Sequence, residues 1–253
     1  MNIRYICFSP TGGTKRAADI IVLAIGEENS VTEIDLCRTE TPDITLSADY
    51  IAVIALPSYY GRVPVLAAER LRRIKGNGAR AVLLCAYGNR AFDDTLVEMQ
   101  DLAEEIGCKP VAAAAAIAEH SIYRCFATGR PNEEDEDILR GFGQRIREKL
   151  ESGDDTPLTL PGNHPYKEIP DHGMIPRPTE ECTNCGLCAA ECPNHAIDEA
   201  DASVIDEKAC ISCMRCIAVC PIDARIHDSA AYEAGKERLR PALTEPKEAE
   251  LFV

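Results

Sequence analysis

Eight of the thirteen cysteines stand in one stretch at regular intervals. Cys182, Cys185, Cys188 and Cys192-Pro193 are followed by Cys210, Cys213, Cys216 and Cys220-Pro221. Each half therefore reads C-x2-C-x2-C-x3-C-P, and the second repeats the first 28 residues on. Duplication at a constant offset marks each half as one structural unit. Three thiolates so close on a tight loop can each take one iron of a cubane, while the fourth cysteine of such a run ligates the other cluster in two-cluster proteins. The pattern assigns Cys182, Cys185, Cys188 and Cys220 to one [4Fe–4S] cluster, and Cys210, Cys213, Cys216 and Cys192 to a second. Small residues at Gly186, Ala189, Ala190 and Ala218 leave room for cubanes and for N–H···S bonds. The competing site, zinc, favours cysteine pairs separated by longer gaps.

The other cysteines, Cys7, Cys37, Cys85, Cys108 and Cys125, are scattered on or near expected strands and helix ends, as buried small apolar residues are; Cys125 alone falls in a polar loop. The first eight residues carry too short an apolar run for a secretion signal and lead into Ser9-Pro10-Thr11-Gly12-Gly13. Thirteen cysteines without such a signal point to metal or redox work rather than a disulfide scaffold. No uncharged apolar run reaches about 18 residues, so no membrane span is expected and a cytoplasmic location is. A formal charge of −15 argues against nucleic acid, which needs a basic face, and suits docking onto basic partners.

Ahead of the cysteines, short apolar runs alternate with amphipathic stretches. Residues 3–8, 31–36, 50–56, 81–86 and the alanine-rich 111–117 read as strands; 15–25, 64–74, 94–106 and 132–150 read as helices. Such alternation predicts an α/β doubly wound parallel sheet covered on both faces. Residues 1–151 form this domain, 152–178 a proline-rich linker packed along it, 179–229 a small α+β cysteine domain, and 230–253 a helical, charged tail. Gly76-Asn77-Gly78-Ala79-Arg80-Ala81 spells a dinucleotide fingerprint but precedes a strand, so it reads as a turn.

Three loops fall at the carboxyl ends of the strands, where ligands bind in doubly wound sheets. Ser9-Pro10-Thr11-Gly12-Gly13-Thr14 offers hydroxyls and backbone N–H groups ahead of a helix N-terminus, which suits a phosphate. Pro57-Ser58-Tyr59-Tyr60-Gly61 and Tyr87-Gly88-Asn89-Arg90 offer aromatic rings and open backbone for a flat heterocycle, and Arg62 and Arg90 could balance a reduced, anionic one. His120, just past the fifth strand, reads as a hydrogen-bonded loop residue, and no catalytic residue is assigned.

These loops resemble those of flavodoxins, and the cysteine segment resembles bacterial two-[4Fe–4S] ferredoxins. As a whole the chain resembles the flavodoxin–ferredoxin fusion proteins of anaerobic microbes, and Pro161-Gly162-Asn163-His164-Pro165-Tyr166 also fits that group. The resemblance implies a five-stranded sheet of order 2-1-3-4-5 binding FMN non-covalently. Ser9, Thr11, Gly12, Gly13 and Thr14 would hold its phosphate; Ser58, Tyr59, Tyr60 and Gly61 would flank the ring on one side, and Gly88, Asn89 and Arg90 on the other. Two features depart from the pattern: the chain has no Trp to stack on the flavin, and Lys15 follows the phosphate loop. The function expected is intramolecular electron transfer between two [4Fe–4S] clusters and FMN, as a flavin-dependent oxidoreductase acting on a partner protein or a small acceptor. A pure electron carrier and an iron–sulfur redox sensor are the alternatives. Neither NAD(P)H use nor oligomeric state follows from the sequence.

Overall fold

The computed structural model describes residues 1–26, 30–38, 43–170 and 173–253. The chain runs β1 (Ile3–Cys7), α1 (Gly13–Ile25), β2 (Val31–Asp35), β3 (Ile44–Thr45), β4 (Ile51–Pro57), α2 (Val65–Leu71), β5 (Ile74–Lys75), β6 (Arg80–Tyr87), α3 (Thr95–Glu105), β7 (Lys109–Ile117) and α4 (Glu133–Ser152). Then follow β8 (Arg177–Pro178), α5 (Leu187–Ala190), α6 (Arg215–Ala218), β9 (Arg225–Ile226), α7 (Ser229–Thr244) and β10 (Glu250–Phe252).

The main sheet has the order β10-β7-β6-β4-β1-β2. Its five long strands are parallel and stand in the 2-1-3-4-5 arrangement of a flavodoxin-like fold. Alternation along each strand feeds two cores, because successive side chains point to opposite faces. Ala52, Ile54 and Leu56 of β4 join Leu66 and Leu71 of α2 and Met99 of α3 on one face. Ile51, Val53 and Ala55 join Ile21 of α1 and Ile146 of α4 on the other. The alanines of β7 divide the same way, their small side chains filling both faces without forcing the helices outward. Helix α4 opens with a capping box: Asn132 Oδ1 accepts from the Asp135 amide at 3.0 Å, and Asp135 Oδ2 accepts from the Asn132 amide at 2.9 Å.

The sixth strand was not foreseen. β10 pairs antiparallel with β7, Glu250 opposite Ala115 and Phe252 opposite Ala113, so a segment expected to be only a helical, charged tail closes the sheet's edge. Its three residues are too few to show a periodicity.

Between α4 and β8 the chain is irregular and strapped along α3; the linker expected over 152–178 includes residues 171 and 172, which lie outside the described residues. Buried Asp94 anchors the strap, accepting from Asn163 N and Nδ2 at 2.9 Å each and from Lys167 N at 2.7 Å. Burial disfavours its charge, but those hydrogen bonds outweigh burial and hold the carboxyl below its ordinary range. Arg62 Nη1 donates to Lys167 O at 2.6 Å, and its guanidinium lies over the Tyr166 ring at 4.4 Å.

Candidate functional site

Each cysteine half folds alike. Positive φ angles recur 28 residues apart, at Asn184 and Ser212, Gly186 and Met214, and His195 and Asp223. These turns bend each three-cysteine loop into a one-turn helix, α5 or α6, that carries the third cysteine. The fourth cysteine of each half accepts a backbone N–H at 3.3 Å, Cys192 Sγ from Ala196 and Cys220 Sγ from Ala224.

Two cavities result. One is ringed by Cys182, Cys185, Cys188 and Cys220, the other by Cys192, Cys210, Cys213 and Cys216. The thiols surround a void instead of closing on a point; among the described residues no three His, Cys, Asp or Glu side chains gather around a single ion. A cubane takes one thiolate at each of four corner irons, so this ring of four fits it. The remaining cysteines hold to the sequence pattern: Cys7, Cys37, Cys85 and Cys108 are buried and Cys125 is exposed.

A larger cavity of about 830 Å3 opens at the carboxyl edge of the sheet. Ser58, Tyr59, Tyr60 and Gly61 line it after β4, Gly88 and Arg90 after β6, and His120 after β7. Side chains could not replace Gly88 freely, since a Cβ there would stand 2.8 Å from the His120 ring. Ser58 Oγ shares a 2.7 Å hydrogen bond with Thr95 Oγ1. Burial pushes the Tyr59 phenol well above its usual range, with Cys213 within electrostatic reach. His120 Nδ1 accepts the amides of Ile122 and Tyr123 at 3.2 and 3.1 Å, and burial lowers its pKa to about 4. The imidazole is therefore neutral at pH 7, with its proton on Nε2.

Other expected cofactor residues stand elsewhere. Asn89 is buried and turned away from the cavity: Nδ2 donates to Leu243 O at 2.7 Å and Glu245 O at 3.0 Å. The loop bearing Ser9, Thr11, Gly12, Gly13 and Thr14 does not line the cavity but caps β1, next to β4 in the sheet. There Ser9 Oγ accepts from Lys15 N at 2.9 Å, and Thr11 and Gly12 are exposed at the start of α1, whose first N–H groups have no partner within the helix. Lys15 Nζ is engaged by Glu33 at 2.8 Å and Asp19 at 3.1 Å. Arg62 pairs with Glu98 (2.7 Å) and Arg90 with Asp93.

The cavity also has walls that no loop motif announced. The strap supplies Lys167, Pro170 and Met174, and α7 supplies Ala231, Ala234, Gly235 and Leu239. The small residues of α7 were readable as a flat helix face; their destination was not. Gly235 admits no side chain because Tyr123 OH occupies that space. Ser212 completes the enclosure. It lies between Cys210 and Cys213, is 7% exposed, and its Oγ has no hydrogen-bond partner among the described residues. Arg215 Nη1 donates to Pro10 O at 3.0 Å, and buried Arg70 joins Leu36 O (2.7 Å) to Pro193 O, so the cysteine module is docked on the sheet domain. An unpartnered hydroxyl, glycine-bearing walls and tyrosines facing a void of this size suit a planar heterocycle with polar edges.

Residues 181–224 match the family model described as the 4Fe-4S dicluster domain. Ferredoxin-2 of Chlorobaculum tepidum is 45% identical over 60 residues, which are 21% of this chain and 97% of that protein. A ferredoxin of Sorangium cellulosum is 37% identical over 81 residues, 29% of this chain and 80% of its own. A flavodoxin of Streptococcus pneumonia TIGR4 superposes with a TM-score of 0.41 at 18% identity, covering 58% of this chain and 98% of that one. The flavodoxin-like assignment rests on the strand order itself. Among the described residues no helix is long and apolar enough to cross a membrane. The chain thus joins a sheet domain of flavodoxin-like fold to a 4Fe-4S dicluster domain of the ferredoxin kind, and the second is docked on the first.

Proposed function

We propose that the protein moves electrons between two [4Fe–4S] clusters and an FMN, and that it is a flavin-dependent oxidoreductase. The observation that carries this is Ser212. A residue of the cysteine loop, flanked by Cys210 and Cys213, forms part of the wall of the cavity that Tyr59 and Tyr60 line. When bound, the clusters supply one-electron steps and the flavin joins them to two-electron chemistry.

Each element of the chain has a part in this. Cys192, Cys210, Cys213 and Cys216 hold the cluster nearer the cavity; Cys182, Cys185, Cys188 and Cys220 hold the outer one, where Cys185 is exposed. Tyr59 and Tyr60 offer ring faces, and Ser212 Oγ offers a hydrogen bond at the cavity edge. Neutral His120 presents Nε2–H as a donor without adding charge. The loop from Ser9 to Thr14 and the start of α1 receive the phosphate. The strap and α7 wall the cavity on the side away from the sheet loops.

Anaerobic purification with flavin, iron and sulfide counts tests the reading. About one FMN and eight irons per chain are expected; a protein that holds its iron but binds no FMN overturns it. A second reading, an electron carrier without a substrate of its own, is favoured by the walls that the strap and α7 place over the cavity. Turnover with reduced ferredoxin and a quinone or nitro acceptor separates the two: steady-state reduction at the flavin supports the oxidoreductase, and its absence in the loaded protein supports the carrier.

A further inference from the structure

The duplication of the cysteine module breaks where the two cavities meet. Position 197 of the first half is Ile197, 6% exposed, in a small apolar cluster with Ala189 and Ala202. Its counterpart 28 residues on is Arg225, 3% exposed. Arg225 lines both cavities. Its Nη1 donates to Cys188 Sγ at 3.4 Å and to Ala202 O at 3.1 Å, while Nη2 reaches Pro176 O at 3.5 Å. Nε is buried without a partner, and among the described residues no carboxylate pairs with the guanidinium.

An arginine is always charged, and an interior guanidinium with no counter-charge is strongly destabilising. The apolar residue of the first half shows that the fold does not need an arginine at such a position. What stands on either side of Arg225 in the loaded protein is anionic, since a cubane with four thiolates carries net negative charge and gains another on reduction. We infer that Arg225 is a counter-ion shared by the two clusters, placed to raise the reduction potentials of both.

The inference rests on both cavities holding clusters, so each variant is first counted for iron and sulfide; counts far below eight irons in the unaltered protein would be a failure of that reading and not of this one. The test is a dithionite titration of the full-length protein followed by electron paramagnetic resonance. Dithionite is oxidised and each cluster takes up one electron, with no bond made or broken at Arg225. Arg225→Ile, which restores the repeat, is expected to weaken reduction of both clusters at least tenfold, 59 mV for a one-electron couple. Arg225→Lys keeps the charge and is expected to retain most of the potential. Unchanged potentials in an iron-replete Arg225→Ile protein overturn the inference. Arg225→Met serves as a second neutral variant; if both neutral variants lose iron while Arg225→Lys holds it, the charge serves assembly and the inference as stated also fails.

Discussion

Replacing Asn89 should free the C-terminal wall of the large cavity while leaving the five parallel strands intact. Its side chain makes three bonds to one returning segment: Nδ2 to Leu243 O (2.7 Å) and Glu245 O (3.0 Å), and Oδ1 from Lys247 N (3.2 Å). Each such bond contributes about 1 kcal/mol net, so their joint loss removes about 3 kcal/mol from the docking of α7 and β10. Asn89 also sits at φ 66°, a left-handed conformation that costs an alanine about 1–2 kcal/mol. Asn89→Gly therefore isolates the hydrogen bonds, and Asn89→Ala should be worse than glycine by about that strain. At 1.4 kcal/mol per decade, 3 kcal/mol should speed amide exchange in α7 and β10 about a hundredfold by local opening, with β4 and β6 unchanged. Native-state hydrogen exchange read by mass spectrometry resolves these segments. Acceleration below about tenfold in Asn89→Gly would refute the assignment of these bonds as the anchor.

Glu98→Gln should destabilise the protein by about 3 kcal/mol in a denaturant melt, because it leaves the half-buried Arg62 without the carboxylate that grips Nε and Nη2; a change below about 1 kcal/mol would contradict that. Acid should weaken the fold through His120. Its pKa is about 4 when folded and near 6.5 when unfolded, so its contribution is complete above pH 6.5 and fades towards pH 4, about 3 kcal/mol in all. His120→Gln should flatten that slope in thermal melts, and an undiminished slope would place the effect elsewhere. Cys220→Ser should cut the iron count to about half while the resonance of the other cluster persists; equal loss of both would show that the cavities do not fill independently.

What could be read in advance depended on how local each determinant is. Cys182 and Cys220 could be placed on one cavity, 38 residues apart, because a duplicated spacing carries its own geometry. Strands β4 and β6 were legible for the same reason, since their apolar runs answer to two buried faces. Ser58, Tyr59, Tyr60, Gly61, Gly88 and Arg90 stand at strand ends, which the sequence marks, and line one cavity there. Asn89 sits among them, and nothing local distinguishes a side chain that faces a cavity from one that grips a segment 154 residues away. Arg62 and Arg90 were open to a flavin role because their partners, Glu98 and Asp93, come from other stretches of chain. Ser212 and α7 stand where the cysteine module meets the sheet domain, and no sequence period records a domain interface.

The pairing of β10 with β7 also bears on how the molecule is made. Chain on both sides of the cysteine module belongs to the sheet domain, so the module is an excursion from it and not an appendage. Roughly 130 residues separate the two strands, and at 5–20 residues per second they take on the order of 7–30 s to synthesise. Throughout that interval the alanine-rich edge of β7 lacks its partner, and an open edge is where strands of neighbouring chains add. A chain halted before Glu250 keeps that edge bare, whereas one that seats Phe252 has already produced all eight cysteines of the repeat. The sheet's edge is therefore closed only by chain made after the cysteine module.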